Sequence, residues 1–84
     1  MRTVYKYALD DSANQIPHSA KLVHAGLDPN GVMCAWFEID TENSPSTVIF
    51  MVFGTGHELT RGAKHIISVI DGPFVWHWYA VGLA

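Results

Sequence analysis

The chain has a single cysteine, Cys34, among its 84 residues. No disulfide can form within it, and a thin core of this size has no covalent staple. Such cysteine usage fits a reducing compartment. Charge is also scarce: Asp, Glu, Lys and Arg make up 15% of the residues, against an ordinary share of about 25%. The five basic residues (Arg2, Lys6, Lys21, Arg61 and Lys64) are dispersed, and the net charge is −3. Nucleic-acid binders gather their cations into a stripe that neutralises phosphates; with no stripe here, direct DNA or RNA binding is not expected. Long apolar runs are missing too. The densest, Val48 to Phe53, falls far short of the roughly 20 residues of a membrane helix, and the opening MRTVYKYALDD lacks the apolar stretch of a secretory signal. These absences predict a cytoplasmic protein with no membrane partner.

A helical period is absent as well. The best stretch for one, 57–65, is interrupted by Gly62 and has poorly spaced apolar residues. What remains is apolar and aromatic residues in strand-like runs, 49% of the chain being hydrophobic. Residues 3–9 place Tyr5, Tyr7 and Leu9 on one face, with Val4 and Lys6 on the other. Ile16-Pro17-His18 reads as an extended step, because the residue before proline avoids the helical region. Strands are predicted over 20–27, 32–40, 47–53, 64–70 and 74–81, separated by turns such as Asp28-Pro29-Asn30-Gly31 and Asp71-Gly72-Pro73. The expectation is one all-β, mainly antiparallel domain: a small six-stranded sandwich or barrel. Strand 47–53 is apolar on both faces, as in a central strand covered on two sides.

Several strands carry more apolar surface than one small domain covers. Trp36 lies opposite the Met33/Phe37/Ile39 stripe of its strand, and Trp76 and Trp78 share one face of theirs, with Val75, His77 and Tyr79 on the other. Aromatic side chains are enriched in interface cores, so Trp36, Trp76 and Trp78 are expected to form an interface in a homo-oligomer.

Gly54-Thr55-Gly56-His57 is the most motif-like segment. Two glycines around a threonine after a buried strand can aim backbone N–H groups at an anion, with His57, Arg61 and His77 adding side-chain contacts. The alternative is a plain turn in which glycine supplies positive φ; the full phosphate-loop and dinucleotide patterns are both missing. The histidines, His18, His24, His57, His65 and His77, occur singly and without the paired spacing of zinc ligands. No metal or other cofactor is expected. Cys34 sits within a strand and reads as a packing residue. Neither a serine elbow nor a distinctive spacing of Glu38, Asp40 and Glu58 points to chemistry, so no catalytic residue is assigned.

The opening Arg2-Thr3-Val4-Tyr5-Lys6-Tyr7, then Ile16-Pro17 with Ala20-Lys21, Trp36, the Gly54-Thr55-Gly56-His57 loop and the ending Val75-Trp76-His77-Trp78-Tyr79 resemble a family of short bacteriophage and prophage proteins of unknown function. The resemblance spans nearly the whole chain, apart from His24 to Leu27 and the tail Ala80 to Ala84. It implies a viral protein in the cytoplasm of an infected bacterium, and no particular activity. By analogy of class, the expected function is a non-catalytic accessory protein that counters host defence by sequestering a small nucleotide-like signal. A protein-directed inhibitor of a host enzyme or defence complex is the alternative, followed by a minor structural phage protein.

Overall fold

A computed structural model describes residues 1–84 and contains seven strands and no helix. In chain order they are β1 (Arg2–Ala8), β2 (Ala13–Pro17), β3 (Lys21–Leu27), β4 (Met33–Asp40), β5 (Pro45–Gly54), β6 (Lys64–Asp71) and β7 (Phe74–Val81). They form a three-stranded sheet ordered β1-β4-β3 and a four-stranded sheet ordered β2-β5-β7-β6. Every pairing is antiparallel. The two sheets stack as an open sandwich, so the barrel alternative does not apply.

The seventh strand is β2, expected only as an extended step around Pro17. ANQIP is short and polar and has little alternation of its own. Its register against β5, with Ala13 opposite Ile49 and Pro17 opposite Pro45, comes from a partner about thirty residues away. Proline is tolerated there because β2 is an edge strand.

Period-two alternation fills the space between the sheets. Ala35, Phe37 and Ile39 of β4 point inward and are buried, and they meet Val48 and Phe50 of β5, Ile16 of β2 and Ala80 of β7. Phe37 and Phe50 stack across the interface with centroids 6.4 Å apart, and Tyr7 meets Phe37 edge-on at 6.0 Å. Deleting a fully buried phenylalanine such as Phe37 costs about 3–5 kcal/mol, a large part of what a domain this small possesses.

Strand β5 is central in its sheet, but only its inner face is covered as expected. Ile49 on the outer face is 40% exposed, so that face has no second layer. On the outer face of the other sheet, Cys34 is nevertheless buried. Asp28 of the β3–β4 turn lies beside it, and burial, followed by that carboxylate's charge, pushes its thiol pKa up. Asp28 in that turn accepts bonds from the backbone N–H groups of Asn30 and Val32, both at 2.9 Å, and from Lys6 Nζ at 2.9 Å.

Candidate functional site

Near the β6–β7 hairpin the inner face of the four-stranded sheet is left uncovered, Val52 and Phe74 being exposed where Phe50 and Ala80 are buried, and three depressions adjoin there. Strand register explains the first. Val52 pairs with Trp78, and Gly54 with Trp76; Ile67 and Val69 stand opposite the same two tryptophans on the other side. This inner row continues the core beyond the last residues able to cover it. The result is an apolar cleft of about 480 Å³ lined by Met33, Val52, Val69, Ile70, Asp71, Trp76 and Trp78.

The second depression, about 560 Å³, lies between the Gly54–His57 turn and the hairpin residues Pro73, Phe74, Val75 and Trp76. Phe74 and Trp76, two apart on one strand, project to the same face and stack with centroids 5.8 Å apart and planes 25° from parallel. Phe74 is 58% exposed. The volume is within the range of about 300–1,000 Å³ usual for small-ligand sites.

The glycines of the turn have distinct physical tasks. His57 N–H donates to the Gly54 carbonyl at 3.2 Å, closing a β-turn in which Gly56 stands third with φ of +88°. That is the type II pattern, which favours glycine at this position. Gly54 serves a close approach instead: a Cβ there would lie 3.0 Å from His57 Cε1 and 3.2 Å from its Nδ1. The imidazole is folded over the bare backbone of its own turn.

The third depression, about 200 Å³, is on the outer face and is lined by Gly54, Thr55, Gly56, His57, Leu59, His77 and Tyr79. Here Thr55 Oγ1 lies 2.9 Å from His77 Nε2. On the other side of the ring, His77 Nδ1 lies 2.7 Å from Ser68 Oγ, which in turn is 2.9 Å from His65 Nε2. Register again explains the grouping, since Phe53, His77 and Ser68 form one outward row and Met51, Tyr79 and His65 the next. Tyr79 packs edge-on against both Phe53 (5.6 Å) and His65 (5.2 Å). Hydroxyls at both ends of the His77 ring can each donate or accept, so the chain accommodates either neutral tautomer, or an imidazolium donating to both.

The site residues expected from the sequence are brought together in part. Gly54, Thr55, Gly56, His57 and His77 meet around one turn, with Trp76 beside them. Arg61 is exposed in the loop before β6 and lines none of the depressions. The three tryptophans do not share one surface. Trp76 and Trp78 face the apolar cleft, whereas Trp36 is on the outer face of the other sheet, where it packs on His24 at 5.2 Å. Phe74, Ser68 and His65 were missed: alternation with Trp76 was an available signal for Phe74, whereas Ser68 and His65, three apart, share a face only through the register shift between His65 and Ile67. No group of three or more His, Cys, Asp or Glu side chains is placed to hold a metal ion.

A family profile matches residues 1–83, almost the whole chain. The chain belongs to the DUF7352 family, a domain of unknown function. No curated protein and no solved structure shows a significant match. For this DUF7352 chain, the functional reading therefore rests on the geometry of the open sheet end.

Proposed function

We propose that this chain is a non-catalytic binding protein that holds a small nucleotide-like anion in the depression between the Gly54–His57 turn and the β6–β7 hairpin. The observation that carries this reading is the juxtaposition of a stacked Phe74/Trp76 pair with a glycine turn bearing His57. A heterocycle finds a π-surface on the aromatic pair, where stacking contributes about 1–3 kcal/mol per base. A phosphate finds hydrogen-bond donors in Thr55 and His57. With no Lys or Arg lining the depression, neutral and imidazole donors supply the anion contacts.

The resemblance to phage proteins extends the proposal to a setting. In an infected bacterium, such a binder acts stoichiometrically in the cytoplasm and withdraws a nucleotide signal from host defence.

The test is isothermal titration and thermal shift with a panel of cyclic dinucleotides and ADP-ribose-type nucleotides. Saturable binding is expected for at least one member. Phe74→Ala and His57→Ala should each weaken it about tenfold or more, in line with one lost stacking or charge-assisted contact. A panel without binding at millimolar concentration overturns the proposal, as does affinity unchanged in both variants.

A second reading is favoured by the apolar cleft. Ile70, 79% exposed, and Phe74 flank Trp76 and Trp78, a surface suited to docking an apolar side chain of a host protein. Under that reading, Trp76→Ala abolishes capture of a protein partner, while nucleotides have no effect on melting.

A further inference from the structure

We propose that β1 is a self-pairing edge, and that two copies of this chain join their three-stranded sheets through antiparallel β1–β1 hydrogen bonding. The sandwich has four edge strands, β1 and β3 in one sheet and β2 and β6 in the other. Exposed edges invite pairing with another chain and are ordinarily blunted by proline, bulges, short length or outward charge. Strand β2 is short and ends in Pro17. Strand β3 is broken by a register shift between Leu22 and His24, and β6 by one between His65 and Ile67. Of the three longer edges, β1, β3 and β6, only β1 keeps an unbroken register along its whole length, from Arg2 opposite Asp40 to Ala8 opposite Cys34.

Its two cations do not guard it. Lys6 reaches away from the edge, across β4, to Asp28 at 2.9 Å. Arg2 also turns inward across the sheet, to Glu38 of β4. Both charges are drawn toward the middle of the sheet, while Val4 and Tyr5 at the edge remain 49% and 48% exposed.

The backbone fixes which groups are free. Thr41 N–H donates to the Met1 carbonyl and Leu9 N–H to the Met33 carbonyl, both at 2.9 Å. Odd-numbered residues of β1 therefore turn their polar groups toward β4, because hydrogen-bonded and non-hydrogen-bonded pairs alternate along an antiparallel ladder. Arg2, Val4 and Lys6 present N–H and C=O to the open side. Ala8 presents its N–H, its carbonyl being taken by Asp10.

This pattern selects a second copy and one register. With Val4 opposite Lys6 and Arg2 opposite Ala8, a two-fold axis passes between the two Tyr5 residues and no like charges oppose. Moving the pairing two residues either way sets Arg2 against Lys6, or Lys6 against Lys6, which is unfavourable. The arrangement is closed and isologous. Its modest buried area, below the standard interface of about 1,600 Å², implies a dimer that dissociates on dilution.

The experiment is sedimentation velocity over a dilution series from about 500 to 1 μM, spanning the range expected of a small interface. The wild-type mass should double toward the top of the series. Val4→Pro removes an outward N–H and no ladder bond to β4, so it should stay monomeric with unchanged circular dichroism. Tyr5→Cys should form a disulfide-linked dimer under mild oxidation, since non-hydrogen-bonded neighbours approach to about 4.5 Å between Cα atoms. Should Val4→Pro fail to fold, hydrogen exchange replaces it: the Val4 and Lys6 amides of the wild type should exchange more slowly at high than at low concentration. A wild type that is monomeric throughout overturns the proposal. So does a folded Val4→Pro dimer, a wild-type dimer whose Tyr5→Cys form does not cross-link, or amides whose exchange ignores concentration.

Discussion

Thr55 and His77, separated by 22 residues, are joined by a hydrogen bond of 2.9 Å between Oγ1 and Nε2. The bond links the glycine turn to strand β7, and Ser68 holds the opposite nitrogen of the same ring. Because the group is open to solvent, water can replace the lost partner. Thr55→Val should therefore change stability by less than about 1 kcal/mol. Nucleotide affinity should fall about tenfold, while Thr55→Ser retains it. Paired melting and titration experiments check both halves.

Gly54 separates fold from site more sharply. The atoms that an added Cβ would strike belong to the His57 ring, the end of an exposed and movable side chain. Gly54→Ala should accordingly leave the melting temperature within about 4 °C, the shift that roughly 1 kcal/mol gives in a domain this size. It should displace the imidazole and weaken ligand binding. Chemical-shift changes confined to residues around the turn would confirm a local effect.

Gly82 predicts the opposite balance. It follows β7 with φ of +93°, and a Cβ there would be driven into the backbone carbonyl oxygen of Thr47. Neither a rotamer change nor a nearby side chain can relieve that clash. Gly82→Ala should cost about 2 kcal/mol or more, combining left-handed strain with steric displacement, and thermal melting should show it directly.

Acid should weaken the β3–β4 turn. The hydrogen bond from Lys6 and those from the Val32 and Asn30 N–H groups hold the Asp28 carboxyl below its ordinary value, and Asp28 in turn raises Lys6. A depressed carboxylate contributes stability above its unfolded pKa, about 3.9. That contribution is lost as the pH falls through the lower folded value. Melting temperature should therefore drop below about pH 4. Asp28→Asn should flatten the drop and lower the neutral-pH melting temperature. It should also speed the reaction of Cys34 with a thiol reagent, because the Asp28 carboxylate beside the thiol holds its pKa up.

Much of the architecture was legible because it is written in local alternation. The inward sets Ala35/Phe37/Ile39 and Val48/Phe50 read directly off period-two spacing, as did the common face of Trp76 and Trp78 and the opposite placement of His77. Strand β2 was not legible, because Ala13–Pro17 becomes a strand only through its pairing with β5. Nor was the meaning of the tryptophan faces. Trp76 and Trp78 line a cleft rather than an outer surface because their end of the inner face is left uncovered by the other sheet, a relation between distant strands.

The sequence by itself determined the fold class, the strand faces and the glycine turn, because side-chain alternation and turn chemistry act over a few residues. Tertiary structure alone decided which faces meet. It placed His77 between Thr55 and Ser68, folded His57 over Gly54, left Arg61 away from the site and separated Trp36 from the other tryptophans. It also left β1 as a long, unbroken edge, since strand order and register arise from contacts between residues far apart in the chain.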